Sequence, residues 1–132
     1  MAGCDDAVHP PAQAHVGYPG DHLCRRAIGS NTAVRSSFPG STVYATTKAA
    51  VATMVKGIAL DLAPRRIIVN NIQPGPIETD ITAGMISRLA EMVPLRRVGQ
   101  PTEIAALVSY LASEEATYMT GSSLTIDGGF AL

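Results

Sequence analysis

Tyr44 and Lys48 stand four residues apart at the head of the Ala-rich stretch Ala45-Thr46-Thr47-Lys48-Ala49-Ala50. That spacing brings two side chains out on one face of a helix. A phenol beside an ammonium can do proton chemistry. An unperturbed phenol, with a pKa of about 10, is a poor base at neutral pH, and lowering that value by ~3 units takes roughly 4 kcal/mol. A positive charge about 4 Å away, at an effective dielectric of about 20, supplies roughly that amount. Lys48 can therefore tune Tyr44 for giving or taking a proton. Helices also carry Tyr and Lys at this spacing by chance, so the pair gains its meaning from the motifs around it.

Those motifs come in order. Upstream, Ile28-Gly29-Ser30 precedes a loop bearing Gly, Ser and Pro, Ser36-Ser37-Phe38-Pro39-Gly40-Ser41, and then the Tyr/Lys helix. Downstream, Ile67-Ile68-Val69-Asn70-Asn71-Ile72 reads as a strand and runs straight into Gln73-Pro74-Gly75-Pro76-Ile77-Glu78-Thr79-Asp80. The chain closes with Thr120-Gly121-Ser122-Ser123-Leu124-Thr125-Ile126-Asp127-Gly128-Gly129. Taken together, Ser…Tyr-x-x-x-Lys, Val-Asn-x-Ile-x-Pro-Gly-Pro-Ile-x-Thr and Thr-Gly…Asp-Gly-Gly resemble the C-terminal half of a short-chain dehydrogenase/reductase. The resemblance runs from Ile28 to Leu132 and is nearest to members of the 3-oxoacyl-[acyl-carrier-protein] reductase kind.

The resemblance implies an α/β fold, the C-terminal part of a doubly wound Rossmann-type parallel sheet with flanking helices. It implies NAD or NADP as cofactor and a small carbonyl or alcohol compound as substrate. Ser30, Tyr44 and Lys48 match the family's catalytic positions: Ser30 would donate a hydrogen bond to the substrate oxygen, and Tyr44 would exchange the proton. Lys48 would assist Tyr44 and contact the nicotinamide ribose, and Tyr44 also counts among the positions that would bind the cofactor. Pro74, Gly75, Ile77 and Thr79 match positions that meet the nicotinamide end, the Ile position through its backbone amide. One residue more than the commonest family spacing separates Ser30 from Tyr44. An inserted loop residue, or Asn31 in the serine's place, therefore stays open beside Ser30, which better fits the local Ile-Gly-Ser pattern.

The same sequence departs from the family. No two glycines are separated by a single residue, so the Gly-rich turn that cradles a pyrophosphate at a helix N-terminus is missing. The family's Asn-Ala-Gly segment and its helix-borne Asn are missing too. Two expectations follow: an oxidoreductase of the short-chain type, or a non-catalytic remnant that keeps the motifs as an oligomerising or binding module.

At 132 residues, 46% of them hydrophobic, the chain has the size and the apolar content of one domain. Its formal net charge of −1 gives no electrostatic reason to expect nucleic acid or an anionic membrane. No apolar run reaches the roughly 18 residues of a membrane span, and the N-terminus lacks the apolar segment of a secretory signal. The cytoplasm is the expected compartment.

Residues 1–27 show neither strand nor helix periodicity and read as an irregular leader ahead of a family domain over 28–132. Asp21–Ala27 makes a poor core strand, which suggests unrelated residues joined before Ile28 by truncation or a frame shift. His9, His15, His22 and Cys24 have spacings that match no common zinc pattern, so no metal site is expected. Cys4 and Cys24 are expected to be free thiols.

The elements that must position the motifs follow from periodicity and punctuation. A helix is predicted over Ser41–Ala63, closed by Pro64, with Val51, Val55, Ile58 and Leu62 on one stripe. Ala45, Ala49, Ala52 and Ala59 make a second, small-residue surface, so the helix looks apolar almost all round and in need of cover on more than one side. A homo-oligomer formed through this helix and the C-terminal strand is expected. Asp80 is the predicted N-cap of a helix reaching Met92, weakened by Gly84, with Ile81, Met85, Ile86 and Leu89 on one face. Pro101 opens another helix, with Ile104, Leu107, Val108 and Leu111 at amphipathic spacing, and a last strand is predicted over Ser123–Asp127.

Overall fold

A computed structural model describes residues 23–36 and 38–132. Three parallel strands form one sheet in the order β1 (Cys24–Ile28), β2 (Ile68–Pro74), β3 (Ser123–Ile126). Helix α1 (Thr42–Leu62) links β1 to β2, while α2 (Ile86–Met92) and α3 (Pro101–Ala112) lie between β2 and β3. This is the half-sheet of a doubly wound α/β fold expected from the sequence.

The central strand is buried from Ile68 to Gln73 and feeds a core on each face. On one face Ile67 and Val69 pack with Val55 and Ala59 of α1, joined by Ile58 and Leu62. On the other, Ile72 packs with Leu111 and Ala116, joined by Ile104, Leu107 and Val108 of α3. Near-continuous apolar character in β2 is thus what burial between two helical layers demands. The amphipathic stripe read along α3 is the stripe that meets the sheet. On α1, the sheet covers one side, while Val43, Met54 and Leu60 on the rest of the helix stay exposed within the chain.

Two fully buried asparagines interrupt that apolar strand, and their amides bind it to the segment entering β3. Asn70 donates to the Met119 carbonyl at 2.7 Å and accepts from the Ser122 N–H at 3.1 Å. Asn71 donates to the Ser123 hydroxyl at 3.1 Å. Buried amides need such partners, since an unmet one costs ~1–3 kcal/mol.

Several boundaries differ from expectation. The leader predicted over 1–27 gives way at Cys24 to β1, whose residues pair one for one with Ile68–Ile72 of β2. Parallel pairing needs only main-chain donors and acceptors, and at the edge of the described sheet Arg25 and Arg26 keep their side chains exposed. The poor apolar content of this stretch therefore did not prevent a strand. Cys24 is a free thiol that donates to the Leu111 carbonyl at 3.0 Å, while Cys4, His9, His15 and His22 lie outside the described residues.

The helix predicted from an Asp80 cap to Met92 begins later. Asp80 sits in a turn, a short 3-10 turn covers Ala83–Met85, and only Ile86–Met92 is α-helical. Among the described residues no side chain caps this segment; the Thr82 hydroxyl instead ties back to the loop, accepting from the Thr79 N–H at 2.9 Å and donating to the Ile77 carbonyl at 2.7 Å. Those bonds hold a turn that a helix from residue 81 would break. Ile81, expected on the buried face, is 88% exposed as a result. Strand β2 also runs two residues past Ile72, because the Gly75 N–H continues the ladder to the Ile126 carbonyl at 3.0 Å, beyond Pro74, which has no N–H to give. Among the described residues no helix is long and apolar enough to cross a membrane.

Candidate active site

The residues singled out by chemistry gather at the carboxyl ends of β1 and β2, where open α/β sheets bind ligands. Tyr44 and Lys48 occupy the first two turns of α1 on one face, as their spacing requires. The Lys48 Nζ lies over the Tyr44 ring, 5.6 Å from its centroid, and donates to the Ile28 carbonyl at 3.5 Å. The ammonium is thereby tied to the last residue of β1. Tyr44 is 51% exposed, so its hydroxyphenyl group is accessible from outside the chain.

Ser30 follows β1 after Gly29 and is buried, at the start of a 3-10 turn over Asn31–Ala33 that packs against α1. Its hydroxyl oxygen accepts from the Thr32 N–H at 3.3 Å and from the Thr32 hydroxyl at 2.9 Å. Because both bonds are received by the oxygen, the Ser30 proton remains to be donated. The alternative residue, Asn31, is committed elsewhere: it is buried, and its Nδ2 donates to Asp127 Oδ2 at 3.1 Å.

Gly29 explains why a residue without a side chain precedes the serine. A Cβ there would lie 2.8 Å from the Oδ1 of buried Asn71. That oxygen has no hydrogen-bond partner among the described residues. The close approach lets Gly29 donate its N–H to the Ile72 carbonyl at 2.7 Å, so the serine turn leaves the sheet at a defined height.

Pro74 ends β2, and Gly75, Ile77 and Thr79 lie on the loop that leaves it. Ile77 bridges in parallel to Gly99, and both hydrogen bonds of the bridge use Gly99: its N–H donates to Pro76 at 2.9 Å, and its carbonyl accepts from Glu78 at 2.9 Å. The Ile77 N–H is therefore turned away from Gly99, as a bridge of this kind requires. Thr79 has an exposed side chain beside Thr82. Amide N–H, hydroxyl, phenol and ammonium form a donor set that suits the amide and ribose of a nicotinamide. The 132 residues hold no Gly-x-Gly turn for a pyrophosphate.

The loop is fastened from outside by groups that periodicity does not reveal. The Glu103 carboxylate takes a two-pronged contact from Arg97, at 2.8 Å and 2.7 Å, and accepts the Gln100 N–H at 2.8 Å. The Gln100 amide in turn reaches the Glu78 carboxylate. Glu103 stands three residues beyond Gln100, the spacing of a helix-capping carboxylate, and that spacing was the available signal. The Arg97 hydrogen bonds, followed by the Gln100 N–H, pull the Glu103 carboxyl down from 4.5 to about 2.

A carboxyl with a folded pKa below its unfolded one adds stability that is complete above the unfolded value and is lost as pH falls through the folded one. The window here runs from about pH 4.5 down to about pH 2. In urea unfolding, Glu103→Gln is expected to lower the midpoint above that window. The gap from the unsubstituted chain should close steadily as pH approaches 2; a gap that stays constant across the window would mean that the ion pair does not contribute.

Comparison with known proteins matches this architecture. Residues 27–131 match a family whose description is Enoyl-(Acyl carrier protein) reductase. The chain is 43% identical over 94 residues to the 3-oxoacyl-[acyl-carrier-protein] reductase FabG of Aquifex aeolicus, covering 68% of this chain and 38% of that protein. A short-chain dehydrogenase/reductase from Serratia marcescens superimposes with a TM-score of 0.78 at 45% identity, covering 83% of this chain and 46% of that one. A blue fluorescent protein from a metagenomic library, solved in complex with NADPH, superimposes with a TM-score of 0.78 at 39% identity, over 83% of this chain and 45% of its own. The chain spans less than half the length of each of these relatives. With its motifs, its half-sheet and these likenesses in agreement, the chain belongs to the short-chain dehydrogenase/reductase family.

Proposed function

We propose that this chain carries the proton-transfer centre of an NAD- or NADP-dependent oxidoreductase that interconverts a ketone and a secondary alcohol. The observation that carries the reading is the Lys48 ammonium held over the Tyr44 ring while tied to the Ile28 carbonyl, two residues before Ser30. In reduction, the substrate oxygen lies between Ser30 and Tyr44. Ser30, already an acceptor twice over, donates its hydroxyl proton in a hydrogen bond to that oxygen. Tyr44 passes its phenolic proton to the same oxygen, and Lys48 supplies the positive charge that balances the phenolate left behind. The Pro74–Thr79 loop would hold a nicotinamide, which would supply the hydride chemistry at the carbonyl carbon in either direction. Lys48 would hold the ribose, while the Ile77 N–H and the Thr79 hydroxyl would orient the ring amide.

The substrate is a 3-oxoacyl compound or a related ketone. Supporting this, the FabG relative is a 3-oxoacyl-[acyl-carrier-protein] reductase. Phe38, Met85, Arg88, Leu89 and Met92 also line a cleft of about 280 Å³. Methionines suit such a wall because their flexible side chains repack around different apolar groups.

A second reading has its own support: with no Gly-x-Gly turn among the 132 residues, the chain would be a non-catalytic module that keeps the family motifs. Titration of the chain with NADH and with NADPH, followed by nicotinamide fluorescence, separates the two. Saturable enhancement with either cofactor is expected for the oxidoreductase. No response to both would leave the second reading standing.

A further inference from the structure

We propose that Asp127 is a positioning residue of this centre, setting the Ser30 turn through Asn31 and the Pro74-Gly75 turn through its own main chain. The inference rests on the oxidoreductase reading above. The Asp127 carboxylate receives three hydrogen bonds: Oδ2 accepts from Asn31 Nδ2 at 3.1 Å and from the Ala131 N–H at 2.9 Å, and Oδ1 accepts from the Gly129 N–H at 2.9 Å. Bonds to a charged acceptor are stronger than neutral ones, so the carboxylate holds the Asn31 amide more firmly than a neutral partner could.

Asn31 is 4% exposed and opens the turn that Ser30 begins. The Ala33 N–H donates to the Ser30 carbonyl at 3.1 Å, and the Val34 N–H donates to the Asn31 carbonyl at 2.9 Å. Fixing the Asn31 side chain therefore fixes the main chain on which the Ser30 hydroxyl rides. On the opposite flank, Gly75 approaches Asp127 so closely that a Cβ would lie 2.4 Å from the Asp127 Cβ and 2.7 Å from its Cα. The oxygen-binding serine and the ring-binding loop thus bear on one residue at the end of the last strand. Groups that must act together are held to within about half an ångström, and a shared abutment is a direct way to keep that tolerance.

Three variants of the full chain test the brace: Asp127→Asn, Asn31→Asp, and the double exchange Asn31→Asp/Asp127→Asn. Amide hydrogen exchange at residues 33–35, measured without cofactor, is paired with steady-state ketone reduction. Each single variant is expected to speed exchange in this turn by roughly tenfold or more. Turnover should fall with the cofactor KM unchanged. The double exchange lets the amide at 127 donate to a carboxylate at 31 and is expected to slow exchange at residues 33–35 again, while the Ala131 N–H, which loses its Oδ2 acceptor, exchanges faster than in the unsubstituted chain. Unchanged exchange in the singles, or an increase that the double exchange leaves in place, would overturn the proposal. Asn31→Asp leaves the Gly129 and Ala131 bonds intact, so it decides the matter even where Asp127→Asn does not fold. Absent turnover in the unsubstituted chain would count against the oxidoreductase reading alone, since the exchange data still judge the brace.

Discussion

Tyr44→Phe is expected to lower the turnover of ketone reduction by about 10²–10⁴-fold, the range a positioned general acid contributes. Cofactor affinity should fall far less, by the loss of a single hydroxyl contact. The reason lies in what the substitution keeps. A phenylalanine preserves the ring face over which Lys48 sits, so the ammonium retains its neighbour and its bond to the Ile28 carbonyl. Only the hydroxyl leaves, and with it the proton that neutralises the developing alkoxide. Nicotinamide absorbance in the presence of ketone reads the turnover, and nicotinamide fluorescence reads the binding. A Tyr44→Phe chain that reduces ketone at the original rate would remove Tyr44 from the chemistry altogether.

Gly75→Ala is expected to destabilise the fold by about 1–3 kcal/mol, the usual penalty for forcing atoms into a packed site. The added carbon would sit 2.4 Å from the Asp127 Cβ and 2.7 Å from its Cα. Neither atom is the flexible end of a long side chain, so the loop and β3 must separate, stretching the Gly75 N–H bond to Ile126. Gly57→Ala provides the opposite sign. Gly57 lies inside α1 with nothing within 4 Å of a Cβ, and alanine there should be neutral or stabilising by up to about 1 kcal/mol. Urea midpoints for the pair measure both. Equal effects would show that backbone propensity, not the contact with Asp127, governs residue 75.

The two substitutions also separate what was legible in the sequence from what was not. The Tyr44/Lys48 pair was legible because both residues lie on one helix, where a spacing of four fixes a common face whatever surrounds it. The α3 stripe was legible for the same reason: Ile104, Leu107, Val108 and Leu111 repeat with the helix period, and they are the residues that meet the sheet. The strand Ile67–Ile72 declared itself through β-branched residues, although its two-residue extension depended on the ladder with Ile126.

Elements governed by partners were harder to read. Cys24–Ile28 has no core-strand composition, yet it pairs with β2 because a neighbouring backbone offers it donors and acceptors. The segment after Thr79 carries the pattern of a capped helix, but one hydroxyl, that of Thr82, meets the Thr79 N–H and the Ile77 carbonyl in a turn instead. The meeting of Asn31 with Asp127 spans 96 residues of sequence.

By itself, then, the sequence determined the chemistry on offer and the elements built from local repetition: a phenol and an ammonium on one helical face, a buried parallel strand, an amphipathic helix and a Gly/Pro turn after the strand. Tertiary structure alone decided which distant groups share a contact. It placed the ammonium against the end of β1, tied Asn31 to Asp127 just beyond β3 and set Gly75 against the same residue. Local periodicity is a property of the backbone and can be read along the chain; contact between remote segments depends on how the sheet orders them, and no spacing along the chain encodes it.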